Sequence, residues 1–165
     1  MHEDVAAFAD SRGALLGLDL GTKTIGIAVS DALRLTATGL ETLKRRKFTE
    51  DAAALAAHIA AREVSGIVLG LPRNMDGSEG PRCQATRAFA RNLAAKAAPP
   101  IAFWDERLST VAVEKALLEA DSTRKRRSEV IDKLAAAYIL QGALDRLATI
   151  ARQADDGFEA GEGSR

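Results

Sequence analysis

The chain has 165 residues, 47% of them hydrophobic, which is enough for one domain with its own core. Lys and Arg (23) balance Asp and Glu (23), which excludes a uniformly basic coat; attraction to a polyanion must come from local clusters such as Lys44-Arg45-Arg46-Lys47 and Arg124-Lys125-Arg126-Arg127. Aromatics make up 4%, too few for a base-stacking platform, the single cysteine forbids an internal disulfide, and no apolar run approaches the ~20 residues of a membrane span.

Residues 14–20 form a short apolar run stopped by Gly21 and predict a buried strand. The link Gly21-Thr22-Lys23 is too short for a parallel crossover, so the alternating segment 24–30 is predicted to return antiparallel, with 36–43 as a third strand. Thr49 is the expected N-cap of a helix reaching about Glu63, with Glu50 and Asp51 in its first turn and Ala52, Leu55, Ala56 and Ile59 at helical spacing. A buried strand follows over 66–70, then a turn-rich loop over 73–80. Next comes a helix from Pro81 to about Ala97 with Ala85, Phe89 and Leu93 on one face. Pro99-Pro100 breaks it before a strand over 101–104.

Ser109 or Thr110 can cap a helix to about Ala120, the basic residues 122–128 read as an exposed loop, and a long helix is predicted over 129–151. The ends, 1–12 and 152–165, read as flexible tails around a domain of residues 13–151. The polar, acidic start is unlike a signal peptide, and with the lone Cys83, read as a structural helix residue, it points to the cytoplasm. An antiparallel meander of strands 1–3 followed by helix-linked parallel strands 4 and 5 gives an α/β domain. Its mixed five-stranded sheet is flanked by helices, the ribonuclease H-like arrangement.

Three carboxylates stand out. Asp19 places a charge inside Leu18-Asp19-Leu20, where an unpaired charge is costly. It shares a strand face with Gly17 and Gly21, which are expected to leave open space around it. Asp105-Glu106-Arg107 follows the last strand, at the carboxyl end where open α/β sheets bind ligands; alternation lets only one of the two acids face a given site. Asp132 lies early in the long helix, before Ala135-Ala136-Ala137, a run small enough to let the helix approach the sheet. Each has an ordinary explanation by itself: a turn-capping Asp, a charged loop, an Asp complementing a helix dipole. Together, with neither His2 nor His58 at ligand spacing, they favour a hard cation such as Mg²⁺ or Mn²⁺ over zinc or a histidine-based hydrolase.

Four segments resemble motifs of the YqgF family, also called RuvX, in the family's order and over roughly residues 13 to 150. They are the opening Gly17-Leu18-Asp19-Leu20-Gly21-Thr22-Lys23 with Thr24-Ile25-Gly26-Ile27-Ala28-Val29-Ser30-Asp31, the loop Gly70-Leu71-Pro72-Arg73-Asn74-Met75-Asp76-Gly77, then Asp105-Glu106-Arg107-Leu108-Ser109-Thr110, and Asp132-Lys133-Leu134-Ala135-Ala136. The resemblance implies a ribonuclease H-like nuclease that processes the 5′ end of pre-16S ribosomal RNA and is related to Holliday junction resolvases. It matches Asp19, Glu106 and Asp132 to the family's acidic triad. In the junction resolvases proper the second acid lies at the end of the fourth strand, where this chain has Gly70-Leu71-Pro72.

Two cations held by the triad would supply hydrolysis without a histidine base. Lys23, Arg73, Arg107, Arg82, Arg124 and Arg126 are the expected phosphate contacts, with Arg87 and Arg91 extending the track; such contacts position a substrate and do not read sequence. The partner is then RNA or branched DNA, bound by a monomer or a homodimer. The rival readings are a junction-resolving DNA endonuclease, a non-catalytic RNA-binding or transcription accessory factor, and an actin-like kinase lobe suggested by Asp19-Leu20-Gly21-Thr22. The last lacks the second lobe it would need.

Overall fold

Strand β1 (Leu15–Leu20) is buried along its whole length because it lies at the centre of a sheet covered on both faces. The structure, a computed structural model, describes residues 1–108 and 124–162, with side chains for 1–108 and 131–158. The other strands are β2 (Thr24–Ser30), β3 (Ala37–Lys44), β4 (Gly66–Leu71) and β5 (Ile101–Asp105), in the order β3-β2-β1-β4-β5. β1, β2 and β3 pair antiparallel; β4 joins β1 in parallel and β5 joins β4 in parallel. This is the mixed sheet expected from the link lengths, and it is ribonuclease H-like.

Alternation along β1 divides the core in two. Leu16, Leu18 and Leu20 pack with Leu55 of α1 (Phe48–Ala61) and with Phe89 and Leu93 of α2 (Pro81–Ala94). Leu15 faces the other way, into a cluster with Val68, Ala102, Ala135, Ala136, Ile139 and Leu140 under α3 (Arg124–Glu162). Helix α3 lies close to the sheet because glycines receive it. A Cβ on Gly17 would stand 2.7 Å from Leu140 Cβ, one on Gly26 1.9 Å from the main-chain oxygen of Asp132, and one on Gly39 2.6 Å from Lys133 Cγ.

Several boundaries differ from the sequence expectation. Lys47, not Thr49, is the N-cap residue of α1, and its side chain makes no cap. The buried Asp51 reaches back instead and accepts the main-chain N–H of Arg46 at 3.0 Å. Helix α2 stops at Ala94, where the N–H groups of Lys96 and Ala97 both turn back to the carbonyl of Leu93. Residues 124–128 belong to α3 rather than to a loop, and the helix continues to Glu162 through most of the expected tail. Once a helix is nucleated, extension through Ala151-Arg152-Gln153-Ala154 needs only propagation by good helix formers. The helix expected between 109 and 120 lies outside the described residues.

The N-terminal stretch is docked rather than a tail. His2 bridges to Ala102 at the free edge of β5, and a 3-10 turn over Val5–Phe8 buries both of its apolar ends. Ion pairs hold it: Glu3 to Arg87 at 2.6 Å and Asp4 to Arg146 at 2.7 Å. Arg87 also grips Glu79 at 2.6 Å and lies over the Phe103 ring.

Two tests follow from this packing. Gly26→Ala should destabilise the fold by about 3 kcal/mol or more in urea unfolding, because its methyl would meet main chain that cannot yield. Gly157→Ala, with open space around it, should be neutral or stabilise by up to ~1 kcal/mol. In the second test, bonds from Arg87 lower the carboxyl pKa values of Glu3 and Glu79, and a bond from Arg146 lowers that of Asp4. Carboxyls depressed in the folded state stabilise it fully above their ordinary values of 4.5 and 3.8 and lose that contribution as pH falls through the lowered ones. The Val5 methyl resonances should therefore keep their docked shifts from pH 7 to about 4.5 and move toward free values only below about pH 4.

Candidate functional site

Asp19, the fifth residue of β1, is 6% exposed. Across the sheet its partner on β2 is Gly26. On the other side, the parallel register pairing Leu18 with Leu69 sets Gly70 of β4 beside it. Neither neighbour has a side chain; Asp132 lies in the space at Gly26, and Glu106 shares the space at Gly70 with Ile139. The main chain of Asp132 sits over Gly26, and a Cβ on Gly70 would stand 2.8 Å from Glu106 Oε1. The row Gly26, Asp19, Gly70 thus brings Asp132 in from one flank and Glu106 from the other. Thr24, two residues before Gly26 and on the same face, donates its hydroxyl to Asp132 Oδ2 at 2.5 Å.

The space around Asp19 therefore does not come from Gly17 and Gly21. α3 fills the first, and the second closes the β1–β2 turn through its N–H to the Thr24 carbonyl. Gly26 and Gly70 were not singled out from the sequence. Gly26 was within reach through the antiparallel register counted across the three-residue link; Gly70, on the parallel β4, was not.

The end of β5 sends Asp105 and Glu106 to different places. The strand stops at Asp105 and the chain turns into a 3-10 turn over Glu106–Leu108. Asp105 holds Arg107 in a fork, with Nη2 to Oδ2 at 2.6 Å and Nε to both oxygens at 3.1 Å. That bond lowers the Asp105 pKa and raises that of Arg107. Glu106 faces the sheet over Gly70. Arg107 also reaches the Met75 carbonyl at 3.5 Å, so the loop after β4 and the turn after β5 meet here.

The expected phosphate contacts separate into two groups. Arg107 is engaged by Asp105, and Arg73 lies 3.8 Å from Glu3 and 3.6 Å from Glu79 with its Nε buried and unbonded. Arg87 is bound between Glu3 and Glu79 and belongs to the packing rather than to an open track. Lys23 is exposed on the β1–β2 turn. Arg82 extends over the end of β1, where Nη2 donates to the Leu20 carbonyl at 2.8 Å. Arg45, read from sequence only as part of a basic cluster, joins it there by donating Nη1 to the Gly21 carbonyl at 2.8 Å. Arg124 and Arg126 lie in the first turns of α3, with side chains outside the described set.

Cys83 is fully buried, and burial is the first cause that pushes its thiol pKa up, which fits a packing role. His58 pairs with Glu41 at 3.1 Å on the surface. The donor set at the patch is carboxylate and hydroxyl oxygen, the chemistry of hard divalent cations. Among the described residues no three carboxylate, imidazole or thiolate groups are drawn together into a formed chelate. The carboxylates share one patch of the sheet, with Glu106 seated in the cradle that a Cβ on Gly70 would fill.

Sheet order, the helix seated across it and an aspartate on the central strand define a ribonuclease H-like domain. The chain belongs to the RuvX family: that family's model, described as Holliday junction resolvase, matches residues 13–146. A protein of Ruegeria pomeroyi named "Putative pre-16S rRNA nuclease" is 71% identical over 145 residues, covering 88% of this chain and 94% of the relative. One of the same name from Paracoccus denitrificans is 63% identical over 153 residues, covering 91% and 97%. Among solved structures, the RuvC of T. thermophilus in complex with a Holliday junction substrate superposes with a TM-score of 0.53 at 15% identity, over 83% of this chain and 97% of that one. The yeast mitochondrial Holliday junction resolvase gives 0.51 at 12%, over 90% and 86%.

The Thr24 bond generates a test. Thr24→Val leaves the Asp132 carboxylate without its hydroxyl donor and should weaken Mn²⁺ binding, measured by titration calorimetry, by roughly 10- to 100-fold. Thr24→Ser should restore it. Equal affinity in all three proteins would show that Thr24 does not orient Asp132.

Proposed function

We propose that this protein is a metal-dependent nuclease that hydrolyses phosphodiester bonds in structured RNA and processes the 5′ end of pre-16S ribosomal RNA. The observation that carries the reading is that the two strand neighbours of Asp19 are side-chain-free, with the main chain of Asp132 over Gly26 and the Glu106 carboxylate beside Gly70. The names borne by relatives at 63% and 71% identity support the substrate.

In this reading Asp19, Glu106 and Asp132 are the metal ligands and catalytic residues. Mg²⁺ or Mn²⁺, as a pair of ions bound there, would supply an activated water and neutralise charge on the leaving oxygen. Asp19 is the central ligand because it projects from the rigid middle strand. Glu106 and Asp132 approach from either side, Asp132 oriented by Thr24. Lys23 and Arg82, with Arg73, Arg107, Arg124 and Arg126, are the proposed contacts to substrate phosphates. Arg73 and Arg107 must exchange a carboxylate for phosphate to take part. Among the described residues no helix is long and apolar enough to cross a membrane, and a nuclease of ribosomal precursors works in the cytoplasm.

A second reading, a resolvase acting on branched DNA, is favoured by the description of the family model. Two symmetric cuts would then require a dimer, whereas a single cut in a leader RNA needs one site.

The deciding experiment offers a pre-16S leader RNA and a four-way DNA junction to wild type and Asp19→Asn, with Mg²⁺, Mn²⁺ or chelator. The expected result is RNA cleavage that requires metal and is abolished by Asp19→Asn. Cleavage of the junction alone would favour the resolvase. Binding without cleavage under every metal condition would make the protein an accessory factor.

A further inference from the structure

Arginines whose contacts are described fall into two sets: some hold a carboxylate, while others, Arg34, Arg62 and Arg152 among them, hold carbonyl, hydroxyl or imidazole groups. Arg73 and Arg87 share Glu3 and Glu79, Arg107 holds Asp105, and Arg146 holds Asp4. Arg45 and Arg82 belong to the second set, at the carboxyl end of β1. Each places one N–H on a main-chain carbonyl, Gly21 for Arg45 and Leu20 for Arg82, and among the described residues neither has a carboxylate within ion-pair distance. Successive carbonyls of one chain thus each hold a cation at the end of β1, offset by peptide dipoles rather than by a carboxylate. Such an arrangement is unfavourable by itself and favourable when an anion sits between the charges.

The placement is fixed from several directions. The main-chain N–H of Arg45 donates to the Lys23 carbonyl at 2.9 Å, wrapping β3's exit around the β1–β2 turn. Its guanidinium lies 5.7 Å from the centre of the Phe89 ring, and Phe48 meets that ring edge-on. Arg82 is the second residue of α2, whose N-cap Gly80 makes no side-chain cap and whose first turn holds no acid. The positive end of that helix dipole therefore adds to the same field. Lys23, exposed on the turn between them, supplies a third cation.

We propose that Arg45 and Arg82, with Lys23, form a grip for a phosphodiester of the bound nucleic-acid strand, adjoining the Asp19 patch. A guanidinium has five N–H donors, and each of these spends one on the protein. The rest match the paired oxygens of a phosphodiester. The grip is anchored on Leu20 and Gly21, the two residues after Asp19, so a strand held there has its next phosphates led toward the acidic patch. Its substrate class is the sugar–phosphate backbone, without base selectivity. The proposal rests on the nuclease reading for its purpose, and its test does not depend on cleavage.

The test measures binding in chelator, by fluorescence anisotropy of a labelled 20-nucleotide RNA across a salt series. The double variant Arg45→Gln/Arg82→Gln keeps a donor for each carbonyl and removes both charges. It should bind at least about tenfold more weakly and lower the salt slope by about 1.4, two single-strand phosphate contacts at ~0.7 each. Arg45→Lys/Arg82→Lys should keep the slope close to wild type. Lys96→Ala, beyond the far end of α2, should change neither quantity. Melting temperatures establish that each variant is folded; if the Gln pair is not, the Lys pair is compared with the single variants Arg45→Gln and Arg82→Gln. An unchanged slope in a folded charge-removing variant, or an equal loss in Lys96→Ala, overturns the grip. Metal-dependent cleavage with an unchanged slope removes the grip and leaves the nuclease. A lowered slope with no cleavage under any metal removes the nuclease and leaves the grip.

Discussion

The depth at which α3 sits on the sheet controls the rest of this molecule. Three glycines on three adjacent strands, Gly17, Gly26 and Gly39, let that helix descend until its main chain touches strand backbone. Glycine weakens a strand interior, since it orders at an entropic cost and packs no side chain. Here the loss is offset by the contact that carries Asp132 to the neighbour of Asp19. A single methyl at Gly26 would lift the helix at the one point where lateral position matters most. The same contact fixes Ala135 and Ala136, both buried, as residues that must stay small.

Gly70 does for Glu106 what Gly26 does for Asp132, and it accounts for the chain's departure from the resolvase pattern. With no side chain at that position of β4, the space beside Asp19 is open to a carboxylate delivered from the end of β5. Delivery from a strand end would normally leave the choice between Asp105 and Glu106 to alternation. The chain removes the ambiguity by leaving β-structure at that point. Asp105 closes on Arg107, the 3-10 turn begins, and Glu106 is directed back over the sheet. An ion pair that contributes little to stability at a half-exposed position therefore holds Asp105 away from the Gly70 side of the sheet.

The strands were legible because hydrophobic period and link length act locally: a three-residue link allows only a hairpin, and a β–α–β connection allows a parallel neighbour. The acidic residues were legible for a similar reason, since a charge between Leu18 and Leu20 conflicts with its surroundings at the level of three residues. What gathers the acids was only half so: Gly26 follows from the hairpin register, whereas Gly70 matters through the pairing of β4 with β1, segments far apart in the chain. The N-terminal docking escaped for another reason. Val5 and Phe8 are two apolar residues in a polar stretch, and their burial depends on the free edge of β5 and on partners at Arg87 and Arg146. The ends of α3 escaped because local composition underrates how easily an established helix extends.

The neutral composition takes on a different meaning once the charges are placed. Zero net charge gives no long-range pull on a polyanion, and beyond about 8 Å salt screens what local excess remains. A paired arginine is nearly invisible at that distance, since its carboxylate cancels it. An arginine bound only to a carbonyl keeps its full charge. Pairing Arg73, Arg87, Arg107 and Arg146 while leaving Arg45 and Arg82 on the carbonyls of Gly21 and Leu20 therefore keeps positive potential at the end of β1 without raising the total. That place directly follows Asp19 in the chain. In the proposed nuclease a cation held by the carboxylates and the arginines near them would act on the same problem from two sides, the repulsion between an acidic site and a polyanion.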